Sequence, residues 1–294
     1  MPRILINPVT AIALIVILAS TSLADPKYNR QVRDSVTIGR YTAITYESVS
    51  FEGEKLHEEL MIKLGPSPAM STMSKSIQLY NFGSDADDPS GASYTKDLNG
   101  NGTDDIIVVG HTGLGSCCNH ISIHSLDEKF LTEIGRFKLL DVDVFYLEDL
   151  DKDSLPEIIF RDANFGKWNA PFDESPMPLL IWKWYEGKYR LANIKFSDYL
   201  KGKRDKDNPK KLKKLTETRM EKEYDPKHEF YRFPPSLLWG MMLDYIYAGD
   251  AEAADSLFNA EWPKEIPGKQ EFYDSFQAQL KKGIYWPEIG RSDF

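Results

Sequence analysis

Residues 97–110 read DLNGNGTDDIIVVG, and residues 149–160 read DLDKDSLPEIIF. Both stretches open with side-chain oxygens on alternate positions and then run into a short apolar segment. An apolar segment of this kind, next to turn-forming residues, is typical of a buried strand. The two stretches begin 52 residues apart, at Asp97 and Asp149. The sequence therefore predicts two copies of one unit, an acidic loop that leads into a strand.

The spacing of the oxygens within each loop predicts a calcium site. Side chains at positions 1, 3 and 5 point inward together, the carbonyl at position 7 adds a neutral ligand, and an acid at position 9 closes the shell. Ca²⁺ takes about six to eight oxygen ligands in flexible geometry. An EF-hand would need a glutamate at position 12, where this chain has Val108 and Phe160. The alternative that stays open is a pair of solvated turns rich in Asp, Asn and Gly.

The two loops resemble the Asp-rich loops of FG-GAP/VCBS-type repeats, the β-propeller blades of integrin α-subunits and of many exported bacterial proteins. The resemblance covers residues 97–192 and implies loops that bind Ca²⁺ and brace a blade without catalysing a reaction. The ligands that it implies are Asp97, Asn99, Asn101, the Thr103 carbonyl and Asp105 in the first loop, and Asp149, Asp151, Asp153, the Leu155 carbonyl and Glu157 in the second. Ser154 departs from the pattern, because the first loop has Gly102 at that position. A full propeller needs at least about four blades, and the sequence shows two repeats and one further unit upstream.

The first 24 residues predict a secretory signal peptide. Residues 11–19 form an apolar run that is too short to span a bilayer, and small residues precede Asp25. We therefore expect residues 1–24 to be removed, a location in the periplasm or outside the cell, and no transmembrane segment in the mature chain.

Strand signals dominate residues 25–200, which we expect to form a mainly β domain of propeller-blade-like antiparallel repeats. Residues 65–70, GPSPAM, predict a loop, and residues 161–178 predict an exposed contact segment. Strands are predicted at 41–51, 59–64, 76–82, 106–109 and 158–160, and a hairpin is predicted at 179–192.

The composition changes after residue 200. Residues 201–214, KGKRDKDNPKKLKK, carry eight bases and two acids, and they predict a solvated basic linker that extends to residue 230. Residues 231–294 predict a small α-helical domain with Asp250 capping its second helix. The predicted helices span 236–248, 251–261 and 270–282.

The two cysteines, Cys117 and Cys118, are adjacent. In an oxidising compartment they can pair only with each other or with another molecule, so a vicinal disulfide is one interpretation. Three histidines lie nearby in sequence, His111, His120 and His124, and a zinc or copper site is a second interpretation. Two small buried side chains without chemistry are the third.

The net charge of −9 disfavours nucleic acid as a partner. The sequence lacks the common nucleophile, zinc-protease, nucleotide-binding and CxxC motifs, so we expect no enzymatic activity. The function that we expect is a calcium-binding, non-catalytic binding or scaffolding module with an unidentified protein or carbohydrate partner. Two alternatives stay open. One is a metal-dependent hydrolase that uses His111, His120 and nearby acids, and the other is a binder of polyanions or lipid surfaces through residues 201–214.

Overall fold

The computed structural model describes residues 28–82, 93–113, 119–127, 130–139, 145–230 and 232–289. The predicted signal peptide and the pair Cys117 and Cys118 lie outside these ranges. No helix within them is long and apolar enough to cross a membrane.

The strands of the described residues form three four-stranded antiparallel sheets, and in each sheet every strand pairs with the next one along the chain. The first sheet holds β1 (Tyr28–Ile38), β2 (Tyr41–Ser50), β3 (Lys55–Leu64) and β4 (Ser67–Ser74). The second holds β5 (Ser76–Leu79), β6 (Asp105–His111), β7 (Asn119–Leu126) and β8 (Leu131–Leu139). The third holds β9 (Phe145–Glu148), β10 (Glu157–Arg161), β11 (Leu179–Tyr185) and β12 (Lys188–Leu191). The mainly antiparallel β class predicted for this region is confirmed, and the described residues close into neither a barrel nor a propeller.

The predicted loop at residues 65–70 is wrong beyond its first two residues. Gly65 and Pro66 alone make the turn, and β4 begins at Ser67. Pro68 lies in an edge strand next to a register shift between Ile62 and Lys63, and edge strands and bulges are the places in a sheet where proline is tolerated. Pro68 therefore does not interrupt β4, although the Gly and Pro residues of 65–70 suggested a loop there.

Five α-helices follow the third sheet within the described ranges. They are α1 (Ser197–Lys203), α2 (Asn208–Lys222), α3 (Leu237–Tyr247), α4 (Ala251–Glu261) and α5 (Lys269–Lys282). The last three confirm the predicted helices, and the Asp250 side chain caps α4 by accepting from the backbone N–H of Ala253 at 3.1 Å.

Helix α2 replaces most of the predicted solvated linker. Its first turn contains Pro209, which is well tolerated there, and its many lysines favour helix. The helix is anchored by two buried side chains, because Leu212 lies in the core and Arg219 donates to the backbone carbonyls of Phe233 and Pro234 at 3.2 and 3.3 Å. The segment is basic, as predicted, but it is a packed helix.

One hydrophobic core joins the second and third sheets to the helices. Phe160 of β10, Trp239 of α3 and Phe272 of α5 belong to the same buried cluster. The predicted contact segment contributes to it as well, since Phe165 is fully buried and Trp168 packs edge-on against Trp239 with ring centroids 5.7 Å apart. The boundary predicted near residue 200 therefore does not divide the core.

Polar bonds also tie the helices to the sheets. The Tyr247 hydroxyl of α3 donates to Oδ2 of Asp162, just after β10, at 2.7 Å. The Tyr285 hydroxyl, after α5, accepts from the backbone N–H of Lys138 at 3.0 Å and donates to the carbonyl of the same residue at 2.8 Å. Lys138 lies in β8, an edge strand of the second sheet.

Replacing Tyr247 with phenylalanine is expected to cost stability in a pH-dependent way. Asp162 is buried, and burial raises the pKa of its carboxyl above the ordinary 3.8, while the bonds from Tyr247 and the Asn164 N–H oppose this rise. The carboxyl therefore contributes stability that is full below pH 3.8 and is lost as the pH rises through the folded-state pKa. The lost bond is to a charged group above that pKa, so the cost should be about 1.5–3 kcal/mol at neutral pH and smaller in acid.

Urea unfolding at about pH 7.5 and pH 4 measures this difference. Tyr273→Phe is the matched control, because its hydroxyl bonds to Asp255 at 2.6 Å on an exposed surface and its removal should matter little at either pH. An equal loss of stability in Tyr247→Phe at both pH values would contradict the conclusion that the Tyr247 hydroxyl bonds to a charged Asp162 at neutral pH and to a neutral one in acid.

Candidate functional site

The two acidic loops occupy the same place in two successive sheets. Residues 97–105 lead into β6, the second strand of its sheet, and residues 149–157 lead into β10, also a second strand. The loops also touch each other, since a Cβ placed on Gly100 would lie 3.3 Å from Cδ1 of Leu155. The predicted repeat thus brings both candidate sites next to each other.

Side-chain oxygens fold the first loop around its own backbone. The Asp97 carboxylate accepts from the N–H groups of Gly100 and Gly102 at 2.7 and 2.9 Å. Asn99 Oδ1 accepts from the N–H of Asn101 at 3.0 Å, and Asn101 Oδ1 accepts from the N–H of Thr103 at 2.7 Å. These short-range bonds turn the alternate side chains inward, as the spacing predicts.

The second loop has nearly the same internal bonds. The Asp149 carboxylate accepts from the N–H groups of Asp153 and Ser154 at 3.1 and 2.9 Å, and Asp153 Oδ1 accepts from the N–H of Leu155 at 3.0 Å. Ser154 has a φ of 76°, close to the 80° of Gly102. The serine therefore adopts the left-handed conformation that glycine takes without strain in the first loop.

Each loop closes on a buried carboxylate. Asp105 and Glu157 are both fully buried. Asp105 Oδ2 accepts from the N–H of Leu98 at 2.7 Å, and Glu157 Oε2 accepts from the N–H of Leu150 at 2.7 Å. The acids at position 9 therefore play the same structural role, as the alignment of the two stretches predicts.

The loops differ in the residue that faces this carboxylate from the neighbouring strand. Ser125 of β7 pairs with Asp105. In the third sheet Ile158 pairs with Trp182, which puts Lys183 of β11 at the position equivalent to Ser125. The first loop thus faces a hydroxyl, whereas the second faces an ammonium group.

Lys183 binds three carboxylates of the second loop. Its Nζ lies 2.6 Å from Asp153 Oδ2, 2.9 Å from Glu157 Oε1 and 3.2 Å from Asp151 Oδ1. The other oxygen of Asp151 lies 2.7 Å from Nζ of Lys195. Burial lowers the pKa of Lys183, but its hydrogen bonds to Asp153, Glu157 and Asp151 outweigh burial and raise the pKa above the ordinary 10.5. Lys183 is therefore fully protonated at neutral pH.

The Asp105 carboxyl of the first loop is in a different electrostatic environment. Burial raises its pKa to about 6, the N–H of Leu98 and the Ser125 hydroxyl oppose the rise, and the charges of Asp97 and Asp104 add to it. Burial also raises the pKa of the Glu157 carboxyl, but Lys183 opposes this rise. A cation would lower the free energy of the first loop more than that of the second, because the second already holds one.

Both loops offer hard oxygen donors to a divalent cation. Asp149, Asp151 and Asp153 each place one carboxylate oxygen within 4.8 Å of the others, and among the described residues no other group of acids, histidines or cysteines does so. Two of these three acids are the ones that Lys183 contacts. The first loop offers the carboxylates of Asp97 and Asp105 together with amide oxygens, a set that suits Ca²⁺.

The histidines of the predicted zinc or copper site lie within the described residues, whereas Cys117 and Cys118 lie outside them. His111 Nδ1 lies 2.8 Å from Asn119 Oδ1, and the His120 ring packs so closely on Gly110 that a Cβ there would lie 2.4 Å from it. Neither histidine belongs to the group of potential metal ligands found in these ranges. The basic stretch 201–214 keeps its lysines exposed, and Lys211 is paired with Asp205.

Sequence reasoning missed a polar cavity of about 290 Å³ between β4 and the strands β7 and β8. His124 and Ser122 line it, with His124 Nε2 lying 3.0 Å from Ser122 Oγ, and so do Glu133 and Arg136, which form an ion pair. Burial lowers the pKa of His124, so its imidazole is neutral at physiological pH. The signal was present in the alternation NHISIHS at 119–125, which puts polar side chains on one face of a strand.

No protein-family model, curated protein or solved structure matches this chain.

Proposed function

We propose that this chain is an exported, calcium-stabilised β-repeat protein that acts as a non-catalytic binding or scaffolding module. The observation that carries the proposal is the matched construction of two acidic loops that touch each other at the same place in successive sheets. Their carboxylates are already oriented by backbone N–H groups, an arrangement that suits ligation better than proton transfer. Export rests on the signal-like pattern of residues 1–24, and the partner is a protein or carbohydrate of unknown identity.

The first loop is the calcium site that the geometry supports best. Asp97, Asn99, Asn101, the Thr103 carbonyl and Asp105 would hold the ion. A bound Ca²⁺ supplies positive charge to a loop that otherwise buries the Asp105 carboxyl without a lysine beside it. Asp105 would then fix the start of β6 by accepting from Leu98 while it is ionised. Strand position and loop shape would become coupled to calcium through this residue.

The three sheets are consistent with blades of an incomplete propeller. Each is a four-stranded meander, which is the usual blade topology, and the two loops lead into the second strand of their sheets. In this proposal calcium stiffens the two loops that contact each other, and the remaining loops of the β region contact the partner.

Calcium is expected to raise the melting temperature of residues 25–294 above its value in excess EDTA. At a calcium concentration of about 100 times Kd the stabilisation would be about 2.7 kcal/mol, or a shift of about 5–10 °C for a chain of this size. Differential scanning calorimetry in EDTA, Ca²⁺ and Mg²⁺ measures it. The calcium-dependent part of the shift should disappear in Asp97→Ala.

Asp104→Ala is the matched control, since Asp104 lies in the same loop, is exposed, and bonds to the Thr95 hydroxyl at 2.9 Å. It should keep the calcium response of the unmodified chain. An identical melting temperature in EDTA and calcium, or an equal shift with Mg²⁺, would argue that the loops are ordinary polar turns.

A further inference from the structure

The second loop differs from the first by one buried cation. Lys183 occupies the position equivalent to Ser125, and its Nζ has one carboxylate oxygen from each of three acids within 3.2 Å. An ammonium group has three N–H donors, so three acceptors satisfy it completely. The lysine is therefore fully coordinated by the oxygens that the alignment assigns to a metal ion.

This pairing is buried rather than superficial. The side chain of Lys183 is 6% exposed and that of Glu157 is 0% exposed. A buried carboxylate without a counter-charge costs several kcal/mol, so a cation beside Glu157 stabilises the second loop. Lys183 meets that need from within the chain, and Lys195 adds a second positive charge at the rim through Asp151.

A divalent cation in the same loop would have to displace the ammonium. Asp151 and Asp153 supply two of the three oxygens that form the potential metal cluster, and both are hydrogen-bonded to Lys183. Two cations cannot share these oxygens at short range without strong repulsion. The backbone of Lys183 is also fixed, because Lys183 lies in β11, which pairs with β10 on one side and with β12 on the other.

We propose that Lys183 is a tethered cation that takes the place of a metal ion in the second loop, so that this loop is complete without calcium. If the proposed function is correct, the calcium dependence of the protein then resides in the first loop alone. The two loops would then share one backbone design but differ in their cation. The first loop, which faces Ser125, would bind a free calcium ion, and the second would use the ammonium group of Lys183.

The first test uses the chain as it is. Calcium stoichiometry of residues 25–294 is measured by isothermal titration, in the unmodified chain and in a double variant, Asp151→Ala with Asp153→Ala, which removes both candidate ligand side chains. Unchanged stoichiometry supports the proposal, because the altered acids then hold no calcium. A loss of one bound calcium in the double variant overturns it.

The second test gives the second loop the residue of the first. Lys183→Ser, purified in calcium and then moved into EDTA, is expected to melt about 10 °C lower than the unmodified chain. Millimolar calcium should recover most of this loss and add one bound ion per chain. Lys195→Ser is the matched control, since Lys195 is partly exposed and bonds to Asp151 at the rim of the loop, and its shift should be at most a few degrees.

A Lys183→Ser chain that melts in EDTA within about 2 °C of the unmodified chain would overturn the proposal, and so would a destabilised chain that calcium does not recover. These outcomes are independent of the proposed function. If the unmodified chain binds no calcium at all, the proposed function fails, while calcium recovery of Lys183→Ser still supports the role of the lysine.

Discussion

Replacing Trp239 with alanine is expected to lower the free energy of unfolding by about 3–5 kcal/mol. The side chain is fully buried and contacts the rings of Trp168 and Phe272, at centroid distances of 5.7 and 5.5 Å. Because one buried cluster runs from these residues into the second and third sheets, the loss should appear in strands and helices together. Urea unfolding followed by circular dichroism and by tryptophan fluorescence should give coincident transitions at a lower midpoint.

Phe51→Ala is the control for this prediction, because Phe51 is a large aromatic side chain that is 70% exposed. It should change stability by no more than about 0.5 kcal/mol. Two separate transitions, with the sheet transition unaffected by Trp239→Ala, would show that residues 231–294 form a domain of their own, as their sequence suggests.

Loss of charge at the two position-9 acids is expected to change stability by very different amounts. Glu157→Gln should cost about 3–5 kcal/mol, because it removes a buried partner of Lys183. Both oxygens of Glu157 are acceptors, one from Lys183 and one from the Leu150 N–H, so an amide NH₂ would face a donor in either orientation. No rearrangement of the side chain alone satisfies both donors.

Asp105→Asn should be nearly neutral, or stabilising, in EDTA at pH 7. One oxygen can still accept from Leu98, and the amide NH₂ can donate to the Ser125 hydroxyl, which is able to reverse its role. The substitution loses the bond that Asn99 Nδ2 donates to Asp105 Oδ1, but this bond is long, at 3.3 Å, and comes from a neutral amide, whereas the donor lost in Glu157→Gln is a buried ammonium. The variant also removes the negative charge of a buried carboxyl group whose pKa is raised to about 6. Parallel urea titrations of both variants in EDTA measure the contrast, and a similar loss of stability in the two would refute it. With calcium added, Asp105→Asn should no longer respond to the ion.

The sequence contains enough information for the main elements, because their signals are local. Alternating β-rich runs predict β2 and the hairpin β11–β12, and the Asp250 cap and helical composition predict α4. The repeated acidic stretches predict matching loops, and the structure confirms that match for the N–H bonds accepted by the position-5 and position-9 side chains and for one of those accepted at position 1. The strand β1 and the helix α2 were missed because their many exposed polar residues obscure the hydrophobic periodicity. Pairing with β2 stabilises β1, and burial of Leu212 stabilises α2.

The features that distinguish the two loops are not local, and this is why sequence reasoning did not find them. Lys183 lies 26 residues after Glu157 in the chain, and only the register of β10 and β11 brings the two together. Counting charges within residues 149–157 suggests a strongly acidic loop with a high demand for metal. The neighbouring strand reverses that conclusion, because it supplies the cation from outside the counted segment.

The hydroxyl of Tyr285 has a consequence for association between molecules. An edge strand such as β8 normally offers free N–H and C=O groups to a strand from another chain, which is a route to aggregation. At Lys138 both groups are already engaged by a single phenol, which imitates the paired bonds that an added strand would make. The segment after α5 thereby covers β8 at Lys138, and a strand from another chain could pair with this position only by displacing Tyr285.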